Sequence, residues 1–283
     1  MEWFPFALLT ALLWGIGQNI IKKGLESVPP VWNVLIGSFI NFATYIPVAL
    51  LNRPSFSLSF PQVIILLVIP FLYIFYYYAI EKKQVSFSGT IFATYPVTTI
   101  SLSVLFLHEQ LNFQKVIMIA LILVGCFLLS RSQKSRTNLK NEMKFTWLAW
   151  AIFASIATGL GDFLAKLVLS DISVHTYNFY YPFFYFANFF LFFLIDKKGR
   201  KLSKSFSKTR LVITFLGILT LNLGVLLFNF ALSRGPASLV TTVSSAFAGV
   251  SIVIAYFIFK EKISGIQWVS LLMIVIGIIF IGF

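Results

Sequence analysis

The apolar segments of this chain are long, and only short polar segments separate them. Of its 283 residues 59% are hydrophobic and 11% are charged, whereas soluble domains are about 45–50% apolar and about 25% charged. So few polar residues could not cover a water-soluble globule of this size, and lipid must therefore solvate much of the surface. The sequence predicts a multi-pass membrane protein.

Ten segments are interpreted as membrane-spanning helices, since a span needs roughly 20 residues. Their apolar runs are continuous, whereas barrel strands alternate. The predicted spans are residues 3–21, 31–51, 62–80, 87–107, 115–129, 146–169, 176–195, 211–232, 237–259 and 266–283. A basic connecting loop, residues 131–145, separates a first unit, residues 1–130, from a second, residues 146–283.

The two units resemble one another in sequence. A shift of 144 residues pairs Gly15 with Gly159 and Gly17 with Gly161, and a shift of 152 aligns the third to fifth spans with the eighth to tenth. Five helices per unit is an odd number, so the second copy enters the membrane from the opposite side. The predicted fold is an all-α integral membrane protein of ten transmembrane helices in two inverted five-helix repeats. Such repeats place substrate sites between them.

The basic residues lie on one side of the predicted spans. All 22 Lys and Arg residues fall in the odd-numbered loops except Arg53, Lys115, Lys166 and Arg234. Cytoplasmic loops are enriched in Lys and Arg, so both termini are predicted to be non-cytoplasmic. The net charge of +13 is interpreted as an orientation signal, and no nucleic-acid partner is predicted.

Two matching segments carry a resemblance to a known family. Residues 92–125 and 243–277 each contain an apolar helix, a glutamate, a short polar link and a final helix with a glycine. With the ten-span plan, this pattern resembles EamA-type members of the drug/metabolite transporter superfamily. The resemblance implies transport of amino acids, other metabolites, sugars or toxic compounds. It also implies cytoplasmic termini in many relatives, the reverse of the charge count here. Glu109 and Glu261 stand where a new helix begins and are interpreted as helix caps.

Asp162 is the acidic residue deep within a predicted span. A charge there costs at least ~2.5–3.5 kcal/mol on insertion scales, so its carboxylate should face a cavity or a partner. Lys166 follows one helical turn later and can pair with it. One interpretation is a pair that binds substrate or exchanges a proton, suited to a zwitterionic solute. The other is a self-neutralising pair in which Lys166 extends to the membrane interface.

Gln18 and Asn19 follow the first glycine pair and lie near the position that matches Asp162 in the repeat. Their amides are candidate substrate ligands. Alternatively, they join helices through hydrogen bonds worth about 0.6 kcal/mol each. The glycine pairs could bend the helices beside a substrate or only allow close packing.

Aromatic and amide side chains share faces of the third and eighth spans. Tyr73 and Tyr77 are four residues apart and Asn222 and Asn229 seven apart, so each pair lies on one helix face. A tyrosine ring can pack on a small organic solute while its hydroxyl binds the polar end. All four are candidate substrate ligands, and an aromatic belt at the membrane interface is the competing explanation for the tyrosines.

The fourth and seventh spans hold further candidates. Tyr95 is a candidate substrate ligand, and the adjacent Pro96 predicts a kink because proline removes a helix hydrogen bond. Tyr180, Tyr181 and Asn188 are weaker candidates.

These features predict a secondary transporter and not an enzyme. No GxxxxGK[ST] loop is present, and two histidines and one cysteine give little basis for a metal site, so no cofactor is predicted. The favoured function is alternating-access transport of a small polar or amphipathic metabolite, slightly more amino-acid-like than sugar-like. A monomer or homodimer in a bacterial plasma membrane is expected, with protons as the candidate coupling ion. The alternatives are a sugar-uptake carrier of the same superfamily and, more distantly, a membrane enzyme or scaffold.

Overall fold

The computed structural model describes residues 1–24, 28–81, 94–131, 141–196, 207–259 and 263–282, with side chains except at 22–24, 30, 76–81, 130–131, 141–151 and 258–259. Within these ranges the chain is helical and forms no strand. The helices are α1 Trp3–Gly24, α2 Pro30–Leu51, α3 Phe60–Glu81, α4 Tyr95–Phe106, α5 Phe113–Arg131, α6 Asn141–Asp171, α7 Val174–Ile195, α8 Lys208–Arg234, α9 Ala237–Ser245, α10 Phe247–Phe259 and α11 Gly265–Ile281.

Most of these helices have the length and composition of membrane spans. Among the described residues, six apolar helical segments are long enough to cross a membrane, and four shorter apolar helices accompany them. Large apolar side chains such as Leu51, Phe257 and Leu272 lie on the outer surface, where lipid can solvate them. The chain is therefore a multi-pass integral membrane protein, as its composition predicts.

The ninth predicted span, residues 237–259, is not one continuous helix. α9 ends at Ser245 and α10 begins at Phe247, with Ala246 between them. The Ala246 N–H donates to the carbonyl oxygen of Val243, three residues back, which departs from the α-helical pattern. The Ser245 hydroxyl donates to the Thr242 carbonyl oxygen at 2.7 Å, a local bond by which serine competes with helix backbone bonding. Hydropathy does not register this competition, so the sequence predicts the span, which the structure confirms as one apolar segment over Ala237–Phe257, but not its local break at Ala246.

The fourth and sixth spans begin at residues other than those predicted from the sequence. α6 begins at Asn141, so the last five residues of the predicted connecting loop are helical. α4 begins at Tyr95 with Pro96 in its first turn, where the missing N–H removes no intrahelical bond. Pro96 therefore lies at a helix start in the described part of this span, and the preceding turn, on which the predicted kink depends, is not among the described residues. Residues 87–93 lie outside the described residues.

The helices pair in a symmetric way. α1 packs against α8, as α6 packs against α3, and α1 contacts α9 and α10, as α6 contacts α4. α2 pairs with α7, and α5 pairs with α11. If each of the first five spans is renumbered as its counterpart among the last five, and the reverse, the same set of helix pairs results. Here α9 and α10 together count as the ninth span.

The glycine pairs of α1 and α6 lie at these close contacts. A methyl group added at Gly15 would lie 2.6 Å from a side chain of α10, and one at Gly17 would lie 2.8 Å from a side chain of α8. At Gly159 it would overlap the carbonyl oxygen of Tyr95 on α4. Both helices continue through their glycine pairs, so close packing explains these residues and no break in the helix occurs there.

Candidate functional site

A cavity of about 160 Å³, the chamber, lies among α1, α3, α4, α6, α7, α8 and α10. An apolar protein cavity of about 150 Å³ admits a benzene ring, so the chamber has room for a small organic molecule. Its aromatic lining is Trp14, Tyr73, Tyr95, Tyr177, Tyr181, Tyr185, Phe228 and Phe247. Its polar lining is Gln18, Thr158, Asp162, Asn222 and Asn229.

Asp162 supplies the formal charge of the chamber. Its side chain on α6 is 3% exposed, and the Tyr73 hydroxyl donates to Oδ1 at 2.8 Å. The second oxygen, Oδ2, has no hydrogen-bond partner among the described residues. Gly161 leaves room for the Tyr73 ring, whose Cζ would lie 3.3 Å from a methyl group added there. A buried carboxylate with one free oxygen can bind a donor or a cation from a solute.

The predicted ion pair between Asp162 and Lys166 is not formed. The Lys166 Nζ donates instead to the carbonyl oxygens of Leu232 at 2.8 Å and Gly235 at 2.9 Å. These carbonyls lie at the C-terminal end of α8, where unsatisfied carbonyls and the helix dipole attract a cation. Lys166 is therefore not part of the described chamber lining; it joins α6 to the end of α8.

Glu109 binds the start of α9, which follows the end of α8 after two residues; the end of α8 and the start of α9 form the α8–α9 junction. Its Oε1 accepts from the Ala237 N–H at 2.6 Å, and its Oε2 accepts from the N–H and the hydroxyl of Ser238 at 3.0 and 2.5 Å. It therefore caps α9, which belongs to the other half, and not the next helix, α5, as the sequence suggests. The start of α5 is bound by Asn112, whose Oδ1 accepts from the Lys115 N–H at 2.9 Å.

The other predicted ligands fall into three groups. Gln18, Tyr73, Tyr95, Asn222 and Asn229 line the chamber. Asn19 lies outside its lining, because its Nδ2 donates to the Gly15 carbonyl oxygen and the Ser251 hydroxyl, both at 2.8 Å, and so joins α1 to α10. The side chain of Tyr77, like the whole of Glu261, lies outside the described residues.

A tyrosine row on α7 is the main feature that the sequence analysis missed. Tyr177, Tyr181 and Tyr185 lie four residues apart and all line the chamber, with successive ring centroids 5.5 and 5.6 Å apart. Of these three residues, the sequence indicates only Tyr181, as a weaker candidate. Tyr180 is absent from the described lining, and Asn188 donates to the Leu67 carbonyl oxygen. The four-residue spacing was the available signal.

Three other chamber residues carried no signal in the sequence. Trp14, Phe228 and Phe247 are single aromatic residues within apolar spans, and this chain has 33 phenylalanines. Their rings meet because α1, α8 and α10 converge: the Trp14 ring lies 5.2 Å from Phe228 and 6.0 Å from Phe247. Only packing distinguishes them from lipid-facing aromatics.

Replacing Glu109 with glutamine should destabilise the α8–α9 junction. A glutamine amide presents one acceptor and one donor, so it cannot accept all three bonds, and it carries no charge to favour the helix start. The expected loss is about 1–3 kcal/mol in the free energy of unfolding. Thermal unfolding in detergent micelles would measure it as a lowered Tm.

Glu2→Gln is the matched control for that variant. Glu2 lies at the same end of the molecule, 3.9 Å from Arg234, with a side chain 87% exposed, and exposed ion pairs contribute little stability. Its Tm should stay at the wild-type value. Equal losses in both variants would mean that net charge matters and the cap does not.

Comparisons with known proteins agree with the resemblance seen in the sequence. A model of the EamA-like transporter family matches residues 1–131 and 145–283. An uncharacterized transporter of Clostridium kluyveri is 29% identical over 142 residues, which span about half of each chain: 48% of this one and 46% of that one. A solved crystal structure shares the fold, with a TM-score of 0.81 at 17% identity over 98% of this chain and 95% of its own. The chain belongs to the EamA-like transporter family of the drug/metabolite transporter superfamily.

Proposed function

We propose that this protein is a secondary transporter that carries a small organic solute through the chamber by alternating access. The observation that carries the proposal is the chamber itself, which helices from both halves of the chain enclose around one buried carboxylate. Tilting of one half against the other would expose such a site to each side of the membrane in turn.

The halves, residues 1–130 and 146–283 joined by residues 131–145, are proposed to be inverted repeats. The symmetric set of helix pairs supports this relation. So does the position of Gly235, which contacts Trp3 at the start of α1 and whose carbonyl oxygen accepts from Lys166 near the end of α6. Since α1 begins and α6 ends beside the same residue, these matching helices run in opposite directions.

The orientation in the membrane follows from which segments share an end of the molecule. Phe4 lies against Gly282, so both described termini meet, and Glu2 lies near Arg234, the last residue of α8. The end of α8, where the eighth loop begins, therefore shares an end of the molecule with the described termini, and the sequence places most Lys and Arg residues in the odd-numbered loops. By the positive-inside rule we propose that both termini are non-cytoplasmic. Protons are proposed as the coupling ion, with Asp162 as the group that exchanges them.

Thiol labelling at Asn222 tests alternating access. Asn222 lines the chamber, so a cysteine there should react with a small membrane-impermeant thiol reagent added to either face of oriented vesicles. Cys126 is first replaced by serine; it is buried, and its thiol lies 3.5 Å from the Ser245 carbonyl oxygen, a contact that a hydroxyl can keep. The readout is the labelled fraction from each side.

A cysteine at Leu272 provides the control for this experiment. Leu272 is 59% exposed on the outer surface of α11, where lipid surrounds it, so Leu272→Cys should stay unlabelled. If Asn222→Cys is equally inert from both faces, the chamber does not open to water and the transport proposal fails.

A further inference from the structure

We infer that the transported solute is a compact organic cation, bound through the free oxygen of Asp162 and the aromatic lining of the chamber. This inference rests on the transport function proposed above and names its substrate class. Four observations support it: the charge of the chamber, the position of Lys166, the aromatic lining and the cavity volume.

The charge of the chamber favours a cation. Asp162 is the only formally charged side chain among the described lining residues, and its Oδ2 has no partner among them. A buried charge left unpaired is unfavourable, and a partner of opposite charge relieves that penalty. A solute ammonium group can supply the missing partner, while the Tyr73 hydroxyl already binds Oδ1.

The position of Lys166 argues against a zwitterionic solute. An amino acid would bring a carboxylate as well as an ammonium group into the chamber. The nearest cation along α6 is Lys166, but its Nζ is bound to the carbonyl oxygens of Leu232 and Gly235. A solute carboxylate would therefore meet amides, phenols and one like charge, Asp162, with no described cation in the lining.

The aromatic lining favours an organic cation over a metal ion. Cations are attracted to the faces of aromatic rings, and the tyrosine row of α7 together with Trp14 and Phe228 offers several rings. A hard metal ion requires about six oxygen ligands. Among the described residues no group of three or more His, Cys, Asp or Glu side chains could hold a metal.

The cavity volume limits the size of the cation. About 160 Å³ corresponds to a benzene-sized body. A ring with one short ammonium arm fits this volume, with its nitrogen at Asp162 Oδ2 and its ring against the tyrosine row. Benzylamine, which is protonated at pH 7, is such a probe.

A series of benzene derivatives that differ in charge, in which benzylamine and benzyl alcohol match in shape, tests the inference. Binding of benzylamine, benzyl alcohol, phenylglycine and benzoate to the purified protein in nanodiscs would be measured by isothermal titration calorimetry. Benzylamine should bind about tenfold or more tightly than the other three, as expected for one charge-assisted bond. Asp162→Asn should bind benzylamine no better than benzyl alcohol, whereas Asp162→Glu should keep the preference for the amine.

Binding of the four probes to the wild-type protein tests the cation inference even if Asp162→Asn does not fold. Equal or tighter binding of phenylglycine or benzoate, or no binding of benzylamine up to 10 times the concentration that saturates any other probe, would overturn the cation inference. Failure of all four probes to bind would also overturn it. Labelling of Asn222→Cys is independent of these probes, so a chamber that opens to both sides but rejects benzylamine would leave transport standing and refute only the substrate class.

Discussion

Asp162→Asn is expected to abolish the pH dependence of benzylamine counterflow in proteoliposomes while expression and membrane insertion stay at wild-type levels. Asparagine has nearly the same shape, and its amide oxygen can still accept from the Tyr73 hydroxyl, which lies 2.8 Å from Oδ1. It can neither exchange a proton nor balance a cation. The variant should therefore lose coupling and most solute flux without losing its fold.

No other described group facing Asp162 can replace it in proton exchange. Tyr73 on α3, Tyr95 on α4 and Tyr177 on α7 are phenols that line the same chamber, and phenols ionise far above neutral pH in water. Lys166, on the same helix, is bound at the α8–α9 junction. Counterflow at several pH values, with Glu2→Gln as a charge-matched control, gives the readout. A pH profile unchanged by Asp162→Asn would remove Asp162 from the coupling step.

Gly159→Ala is expected to lower the free energy of unfolding and to weaken solute binding together. The added methyl group would overlap the carbonyl oxygen of Tyr95 and lie 2.6 Å from Thr98 Cβ, so α4 and α6 would have to separate. That movement would also stretch the bond from the Thr99 hydroxyl to the Gly159 carbonyl oxygen, now 3.0 Å. Overpacking of this kind costs about 1–3 kcal/mol. Because Asp162 and Tyr95 lie on the two displaced helices, solute binding should weaken as well.

Gly265→Ala isolates the steric effect from the general effect of removing a glycine. Gly265 begins α11, and no atom lies within 4 Å of a methyl group added there, so alanine should leave the Tm unchanged or raise it slightly. Thermal unfolding of both variants in detergent measures the difference. A Gly159→Ala protein as stable as the wild type would mean that α4 and α6 are not held together as closely as described.

Much of the architecture could be read from hydropathy because lipid imposes a simple rule. Backbone groups in hydrocarbon must bond internally, so long apolar runs become helices, and this rule located the spans to within a few residues at most ends. It does not register the local break at Ala246, which accompanies side-chain hydrogen bonds of Thr242 and Ser245, and it missed the helix start at Asn141, where a polar sequence continues a helix.

The candidate site was predictable where a residue's own chemistry is unusual in its surroundings. Asp162 stands out as a carboxylate inside a span, and Tyr73, Asn222 and Asn229 stand out by shared helix faces. Asn19 and Lys166 have equally polar side chains, yet both bind other helices. A polar group turns away from the chamber when a neighbouring helix places a hydrogen-bond acceptor within about 3 Å of it. A single sequence does not predict these distances between helices.

The sequence by itself determined that this chain resides in a lipid bilayer, that it is helical and that a carboxylate lies in its interior, and it predicts that the two halves are related. Each follows from composition, periodicity or repetition along the chain. Tertiary structure alone decided that Lys166 leaves Asp162 for the end of α8, that Glu109 caps a helix of the other half, and that a tyrosine row on α7 lines the chamber. These outcomes depend on contacts between segments far apart in sequence. Each polar side chain binds the partner that gives the more favourable hydrogen bonds in the folded chain, and that partner is known only when the helices are packed.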